Sequence, residues 1–125
     1  METLIVTGAA GSIGTRVCKT LAETEGFAAI LAIDTRPEMP NHRRVYHHQL
    51  DLQIDDLKPV FEGATSLIHL ATSFGPSSDG TDAGGAEIDA TRRVFEAASA
   101  VGIKKIVILS SAMVYGAWPN NEVPI

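Results

Sequence analysis

Three glycines near the start of the chain, Gly8, Gly11 and Gly14, follow a short apolar run and precede a helical pattern. In a strand–turn–helix unit the first glycine permits a tight turn, the second lets a ligand approach the backbone, and the third lets the helix pack closely. The first turn of a helix has free N–H groups and the positive end of the helix dipole, which suit a phosphate. Residues 4–14 therefore predict a pyrophosphate site, although a glycine cluster alone is also compatible with a turn that binds nothing.

An acidic residue follows where a dinucleotide-binding unit needs one. The next strand candidate, residues 28–33, ends in Asp34, which lies 20 residues after Gly14. A carboxylate at this position accepts hydrogen bonds from ribose hydroxyls. We therefore expect a dinucleotide. Between the two nicotinamide dinucleotides, NAD would be preferred over NADP because a 2′-phosphate would meet the charge of Asp34. Arg36, Arg43 and Arg44 could compensate that phosphate, or they could form a solvated loop.

Strand and helix patterns alternate along the rest of the chain. Ile13, Val17 and Leu21 predict the apolar stripe of the first helix, and Cys18 could belong to it. The helix before the fifth strand shows one apolar face, traced by Ile88, Thr91, Phe95, Ala98 and Val101. The predicted helices are residues 12–25, 55–61 and 86–100, and the later strands are residues 45–50, 66–71 and 105–109. Residues 72–85, which are rich in Gly, Ser and Asp and show no periodicity, predict a long loop, and such a loop in a compact domain is usually functional or mobile.

This alternation predicts one domain over residues 1–125 with a parallel sheet and helices on both faces. The fold class is α/β, a Rossmann-type doubly wound sheet of about five strands. We expect the strand order 3-2-1-4-5, with the ligand crevice between strands 1 and 4.

Composition excludes several classes of protein. The net charge of −5 argues against nucleic acid as the main partner, and no apolar run reaches membrane-spanning length. The single cysteine, Cys18, excludes an internal disulfide and is interpreted as a packed side chain. These features suit a cytoplasmic protein. No metal is expected, because His47 and His48 point to opposite faces of a strand, and His69 is interpreted as a hydrogen-bonded core histidine.

Several motifs together resemble the extended short-chain dehydrogenases, also called the NAD-dependent epimerase/dehydratase family. The opening motif Thr-Gly-x-x-Gly-x-x-Gly matches residues 7–14 in full. Asp34 stands where members of the family that use NAD carry an acid. Three later segments also resemble motifs of the family: Asp51-Leu52, His69-Leu70-Ala71, and residues 110–116, which read Ser-Ser-Ala-Met-Val-Tyr-Gly. The resemblance covers essentially the whole chain.

The resemblance implies a set of functional residues. Asp51 would meet the adenine amine, residues 69–71 would lie along the cofactor, and Ser111 would be the catalytic hydroxyl. The expected cofactor-binding residues are Gly8, Ala10, Gly11, Ser12, Ile13, Gly14, Asp34, Thr35, Asp51, Leu52, Leu70, Ala71 and Thr72. The implied activity is that of an NAD-dependent oxidoreductase acting on a nucleotide sugar or a similar alcohol.

One part of the family's machinery is missing from the sequence. The family uses a Tyr-x-x-x-Lys pair for general acid–base chemistry, but Leu50 and Pro119 stand four residues after Tyr46 and Tyr115. We therefore expect the N-terminal, cofactor-binding part of a longer enzyme, inactive alone and able to form a homodimer through an unpaired strand at residues 106–109. The alternative is a non-catalytic dinucleotide-binding module that acts as a sensor or as a subunit of an assembly.

Overall fold

A computed structural model describes residues 2–38, 41–71 and 83–109 of the chain. Each predicted strand and helix is present, with small changes at its ends. The elements in chain order are β1 (Glu2–Thr7), α1 (Ser12–Ala22), β2 (Phe27–Asp34), β3 (Val45–Gln49), α2 (Lys58–Phe61), β4 (Ser66–His69), α3 (Ala83–Val101) and β5 (Lys105–Ile108). The first helix ends three residues earlier than predicted. The second begins at Lys58, with a proline in its first turn, where proline costs no hydrogen bond.

The five strands form one parallel sheet in the order β3-β2-β1-β4-β5. This confirms the predicted order and the Rossmann-type fold class. In the register of the sheet, Val6 pairs with Ala32 on one side and with Ile68 on the other. Because parallel strands end at the same edge, the turns after β1, β2, β3 and β4 are brought together there.

Side chains alternate between the two faces of the sheet and form two apolar layers. The layer under α1 consists of Leu4, Val6, Ala9, Cys18, Ala22, Ile30, Ala32 and Val45. The layer under α2 and α3 includes Ile5, Ile33, Leu52, Leu57, Phe61, Leu67, Val94 and Ala98. Cys18 is 1% exposed, and burial raises the pKa of its thiol to about 11, so it packs as a small apolar side chain.

The predicted apolar faces of α1 and α3 are correct at Cys18 and Ala98, which are buried, and wrong at Ile13, Ile88 and Phe95. In α1 the buried residues are Gly14, Cys18 and Ala22, whereas Ile13 is 47% exposed. In α3 the buried residues are Ala90, Val94, Ala97 and Ala98, whereas Ile88 and Phe95 are 61% and 37% exposed. In α1 the small residues Gly14 and Ala22 face the sheet, where they let the helix backbone lie close to β1 and β2.

No helix in the part of the chain that the structure describes combines the length and the apolar character needed to cross a bilayer. Within the same residues, no three His, Cys, Asp or Glu side chains lie close enough together to hold a metal ion.

The turn between β1 and α1 is packed backbone against backbone. Gly8 has a φ of +70°, and a Cβ there would lie 2.7 Å from the carbonyl carbon of Leu70 at the end of β4. A Cβ on Gly14 would lie 2.1 Å from the carbonyl oxygen of Gly8. Gly11 is different, because the nearest atom to its Cβ position is the same oxygen at 3.3 Å.

We expect Gly14→Ala to lower the free energy of unfolding by about 3 kcal/mol, because the added methyl group forces α1 away from the turn. Alanine is otherwise favoured over glycine in a helix by roughly 1 kcal/mol, so a net loss isolates the clash. Urea unfolding of the variant measures this loss. Gly11→Ala is the matched control and should change the stability by less than about 1 kcal/mol. Equal losses in the two variants would contradict the packing described for Gly14.

Candidate functional site

A groove with a volume of about 210 Å³ opens at the carboxyl edge of the sheet, between the ends of β1 and β4. It extends over the end of β2 to the residues that follow β3. Its lining consists of Gly8, Gly11, Ile33, Asp34, Thr35, Arg36, Leu50, Leu52, Leu70 and Ala71. Most of these residues were predicted to bind the cofactor, Arg36 was considered for a 2′-phosphate, and Ile33 and Leu50 are added by the structure. Of the other predicted site residues, Thr72 and Ser111 lie outside the described residues.

The amino-terminal end of α1 borders the groove without a side-chain cap. Gly11 is the N-cap residue, with φ −73° and ψ 173°, no side chain bonds the cap, and the first turn contains no acidic residue. The N–H groups of Ser12, Ile13 and Gly14 are in this first turn, where N–H groups have no partner within the helix. The space beside Gly11 that a Cβ would fill is open except for the Gly8 oxygen. This end of the groove therefore fits an anion such as a pyrophosphate.

The carboxylate of Asp34 is fixed in orientation at the end of β2. Its Oδ2 accepts a hydrogen bond from the Ala10 N–H at 3.0 Å, and its Oδ1 accepts one from the Arg36 N–H at 3.0 Å. The side chain is 9% exposed. A carboxylate held by two N–H groups keeps acceptor capacity for a further ligand, so Asp34 is suited to receive a pair of ribose hydroxyls.

Of the three arginines considered for a 2′-phosphate, Arg36 is the one that lines the groove. Its Nη1 donates to the Ala10 carbonyl at 3.0 Å, and its Nε lies 3.8 Å from Asp34 Oδ1. Arg44 instead donates to the carbonyls of Ala22 and Phe27, at the opposite edge of the sheet. The positive charge of Arg36 is thus already placed beside the negative charge of Asp34.

The turn after β3 contributes Leu50 and Leu52 to the groove. Asp51, which was predicted to meet the adenine, lies between them, and its Oδ1 accepts a hydrogen bond from the Gln53 N–H at 2.8 Å. Asp51 is not among the residues that line the groove.

A buried hydrogen-bond network lies beneath the groove. Thr7 Oγ1 accepts from the N–H groups of Leu70 and Ala71 at 3.1 and 3.3 Å, so its own proton is directed to His69 Nδ1 at 2.6 Å. His69 Nδ1 is therefore the acceptor, and its Nε2–H donates to Thr91 Oγ1 at 3.0 Å. His69 is fully buried, and this desolvation lowers its pKa and favours the neutral ring. The interpretation of His69 as a hydrogen-bonded core histidine is confirmed, whereas its two threonine partners were missed.

The stability of the protein should depend on pH through His69. Because the folded-state pKa lies below the ordinary value of 6.5, the unfolded chain takes up a proton below about pH 6.5 that the folded chain does not. The free energy of unfolding should therefore fall as the pH is lowered below 6.5, by up to about 1.4 kcal/mol per pH unit, and be unaffected by this group above that pH.

Urea unfolding at pH 7.0 and at pH 5.5 (roughly one unit below the ordinary pKa of histidine) measures this dependence. His69→Gln should be less stable than the wild-type chain at the higher pH, and it should lose less stability between the two values. The same pH dependence in both proteins would show that His69 is not the group responsible.

Comparison with protein-family models matches residues 4–124 to the NAD dependent epimerase/dehydratase family. Comparison with curated proteins gave no match. NAD is the cofactor of the matched family.

Several solved structures are similar to the chain. MoeE5 in complex with UDP-glucuronic acid and NAD has a TM-score of 0.77 and 30% identity, covering 91% of this chain and 38% of that one. Uronate dehydrogenase from Agrobacterium tumefaciens has a TM-score of 0.74 and 28% identity, and the match covers 89% of this chain and 41% of that one. UDP-N-acetylglucosamine 4-epimerase from Methanobrevibacter ruminantium M1, in complex with UDP-N-acetylmuramic acid, has a TM-score of 0.79 and 27% identity. This match covers 99% of this chain and 42% of that one.

The chain spans about two fifths of the length of these structures. The family match, in contrast, extends over nearly all of the chain and includes the turn, the acid and the strand ends that form the groove. On this evidence the chain belongs to the NAD-dependent epimerase/dehydratase family.

Proposed function

We propose that this chain binds NAD as the cofactor-binding part of an oxidoreductase of the epimerase/dehydratase type. The observation that supports this most directly is the arrangement of one groove, in which the uncapped end of α1 lies at one side and the oriented carboxylate of Asp34 at the other. The end of α1 suits the negative charge of a pyrophosphate, and the carboxylate of Asp34 can accept hydrogen bonds from the two hydroxyls of a ribose.

Each part of the dinucleotide has proposed contacts. The pyrophosphate is placed at the turn formed by Gly8, Ala10, Gly11, Ser12, Ile13 and Gly14. The adenosine is placed beside Asp34, Thr35, Asp51 and Leu52. Leu70, Ala71 and Thr72 are also proposed to contact the cofactor. When bound, NAD would supply the hydride chemistry, and the protein would bind and orient.

The proposed substrate of the whole enzyme is a nucleotide sugar or a similar alcohol. Support comes from MoeE5 in complex with UDP-glucuronic acid and from the epimerase in complex with UDP-N-acetylmuramic acid. Within this sequence, Ser111 is the residue proposed to orient the substrate hydroxyl. The sequence has no tyrosine followed four residues later by lysine, so residues 1–125 should bind the cofactor without catalysing turnover.

A homodimer and a cytoplasmic location also belong to the proposal. The strand β5 lies at the edge of the described sheet, and Ile106, Val107 and Ile108 are 37%, 50% and 42% exposed. An apolar strand at an edge favours pairing with a second copy. A monomeric mass by light scattering at high protein concentration would exclude the dimer. The alternative function, a non-catalytic dinucleotide-binding module, shares the same groove but is less favoured by the family match.

Gly11→Val tests the cofactor site directly. The isopropyl group would occupy the space beside the end of α1 that the pyrophosphate needs, while a φ of −73° is accessible to valine. We expect no NAD binding by calorimetric titration and an unchanged circular dichroism spectrum. Ser12→Ala is the control, because it keeps the backbone N–H groups and should bind NAD nearly as well as the wild-type chain. Undiminished binding by Gly11→Val would mean that the glycines form only a turn.

The preference for NAD over NADP tests the role of Asp34. Because the charge of Asp34 opposes a 2′-phosphate, NAD should bind at least about tenfold more tightly than NADP. Asp34→Asn should reduce this preference, and Arg36→Ala should increase it by removing the neighbouring cation. Calorimetric titration of the three proteins with NAD and with NADP measures this preference. Equal or tighter binding of NADP to the wild-type chain would overturn the proposed preference for NAD.

A further inference from the structure

The covalent order of NAD predicts where its adenine lies in the groove. The pyrophosphate is proposed at the amino-terminal end of α1 and the adenosine ribose at Asp34, at the end of β2. The adenine is attached to the far side of that ribose, and the next strand outward in the sheet is β3. The base should therefore lie against the turn that follows β3, where Leu50 and Leu52 line the groove.

This turn, residues 50–55, is shaped by bonds among its own residues. The Asp51 N–H donates to Asp55 Oδ2 at 2.6 Å, and the Gln53 N–H donates to Asp51 Oδ1 at 2.8 Å. The Asp55 N–H also donates to the Asp51 carbonyl at 2.9 Å. These three bonds define the form of the turn, but they do not attach it to the neighbouring helices.

Arg93 of α3 makes that attachment. Its Nη1 donates to the Leu52 carbonyl at 2.5 Å, and its Nη2 donates to the Asp55 carbonyl at 2.6 Å. The two acceptors lie within the turn, three residues apart, and both bonds are partly buried and charge-assisted. Leu52, which is 8% exposed, lies in the same apolar layer as Val94, the residue after Arg93.

We infer that Arg93 is a positioning residue for the adenine subsite, an inference that rests on the proposed binding of NAD. Its guanidinium holds both carbonyls at once, which fixes Leu52 against the groove and fixes the position of Asp51 in the same turn. A lysine in its place could donate to one carbonyl in good geometry but not to two through a planar fork. Arg93 acts through the turn and does not itself contact the ligand.

The neighbouring residue Arg92 offers a matched control. It has the same charge and lies on the same helix, but its side chain is 64% exposed and its Nη1 lies 3.5 Å from the exposed carboxylate of Asp89. Replacement of Arg92 by a neutral residue should therefore leave the turn unchanged. It removes one positive charge from the chain, as replacement of Arg93 does.

The experiment compares ADP with inosine diphosphate, which carries a carbonyl group where adenine carries its amine. Titrations use the wild-type chain, Arg93→Met, Arg93→Lys and Arg92→Met, with urea unfolding to confirm that each is folded. The wild-type chain should prefer ADP, because Asp51 can accept a bond from the adenine amine. Arg93→Met should bind ADP about tenfold more weakly, the size of a typical coupling between sites, and should lose most of this preference. Arg93→Lys should lie in between, and Arg92→Met should match the wild-type chain.

The other outcomes separate the inference from the function on which it rests. A folded Arg93→Met variant with unchanged affinity and preference would overturn the inference, as would equal losses for both nucleotides, which indicate a purely structural role. A wild-type chain that binds ADP and inosine diphosphate equally would also overturn it. A wild-type chain that binds neither nucleotide would instead refute the proposed function.

Discussion

The hydroxyl group of Thr7 makes the contacts on which the groove depends. It accepts hydrogen bonds from two successive N–H groups, those of Leu70 and Ala71, and it is held in that role by donating to His69. The ends of β1 and β4 are thereby joined at the place where the strand order changes direction, which is where α/β sheets bind their ligands. The same close approach requires glycine at position 8, because a side chain there would collide with the Leu70 backbone. The backbones of Gly8 and Leu70, which both line the groove, are therefore in close contact.

The charges around this groove are arranged in a way that suits a dinucleotide. The end of α1 offers N–H groups without a side-chain cap, and Asp34 is the acidic group that lines the groove beside them. Ala10 connects the two, since its N–H bonds Asp34 and its carbonyl bonds Arg36. A single turn thus sets the relative positions of the anion-binding end and the hydroxyl-binding end. Orienting the carboxylate before a ligand arrives reduces the entropy lost on binding.

The sequence predicts the fold well because its strands are short apolar runs separated by glycines and by helical periodicity. It predicts helix faces less well. In α3 the bulky Ile88 and Phe95 suggest the buried side, but Ala90, Val94 and Ala97 join the apolar core, while Ile88 stays exposed. In α1, which packs closely on the sheet, the buried positions include the small residues Gly14 and Ala22. The sequence also does not reveal hydrogen-bond partners that are distant along the chain. Arg36 and Arg44 stand in one polar stretch, yet they bond to opposite edges of the sheet. Nothing in the local pattern around Arg93 indicates a partner 41 residues earlier.

Recognition of a phosphate by backbone groups has a consequence for specificity within the family. N–H groups and glycine turns recognise a phosphate whatever the surrounding side chains are. The fold itself persists while most residues change, as in the similar structures with 27–30% identity. Side chains matter where the ligand presents hydroxyls or a base edge, and we propose Asp34 and the turn held by Arg93 for that role. In this proposal the choice of cofactor depends on residues that the structure describes. The choice of a sugar must be made by groups that meet the substrate, and such groups vary independently of the backbone that holds the dinucleotide.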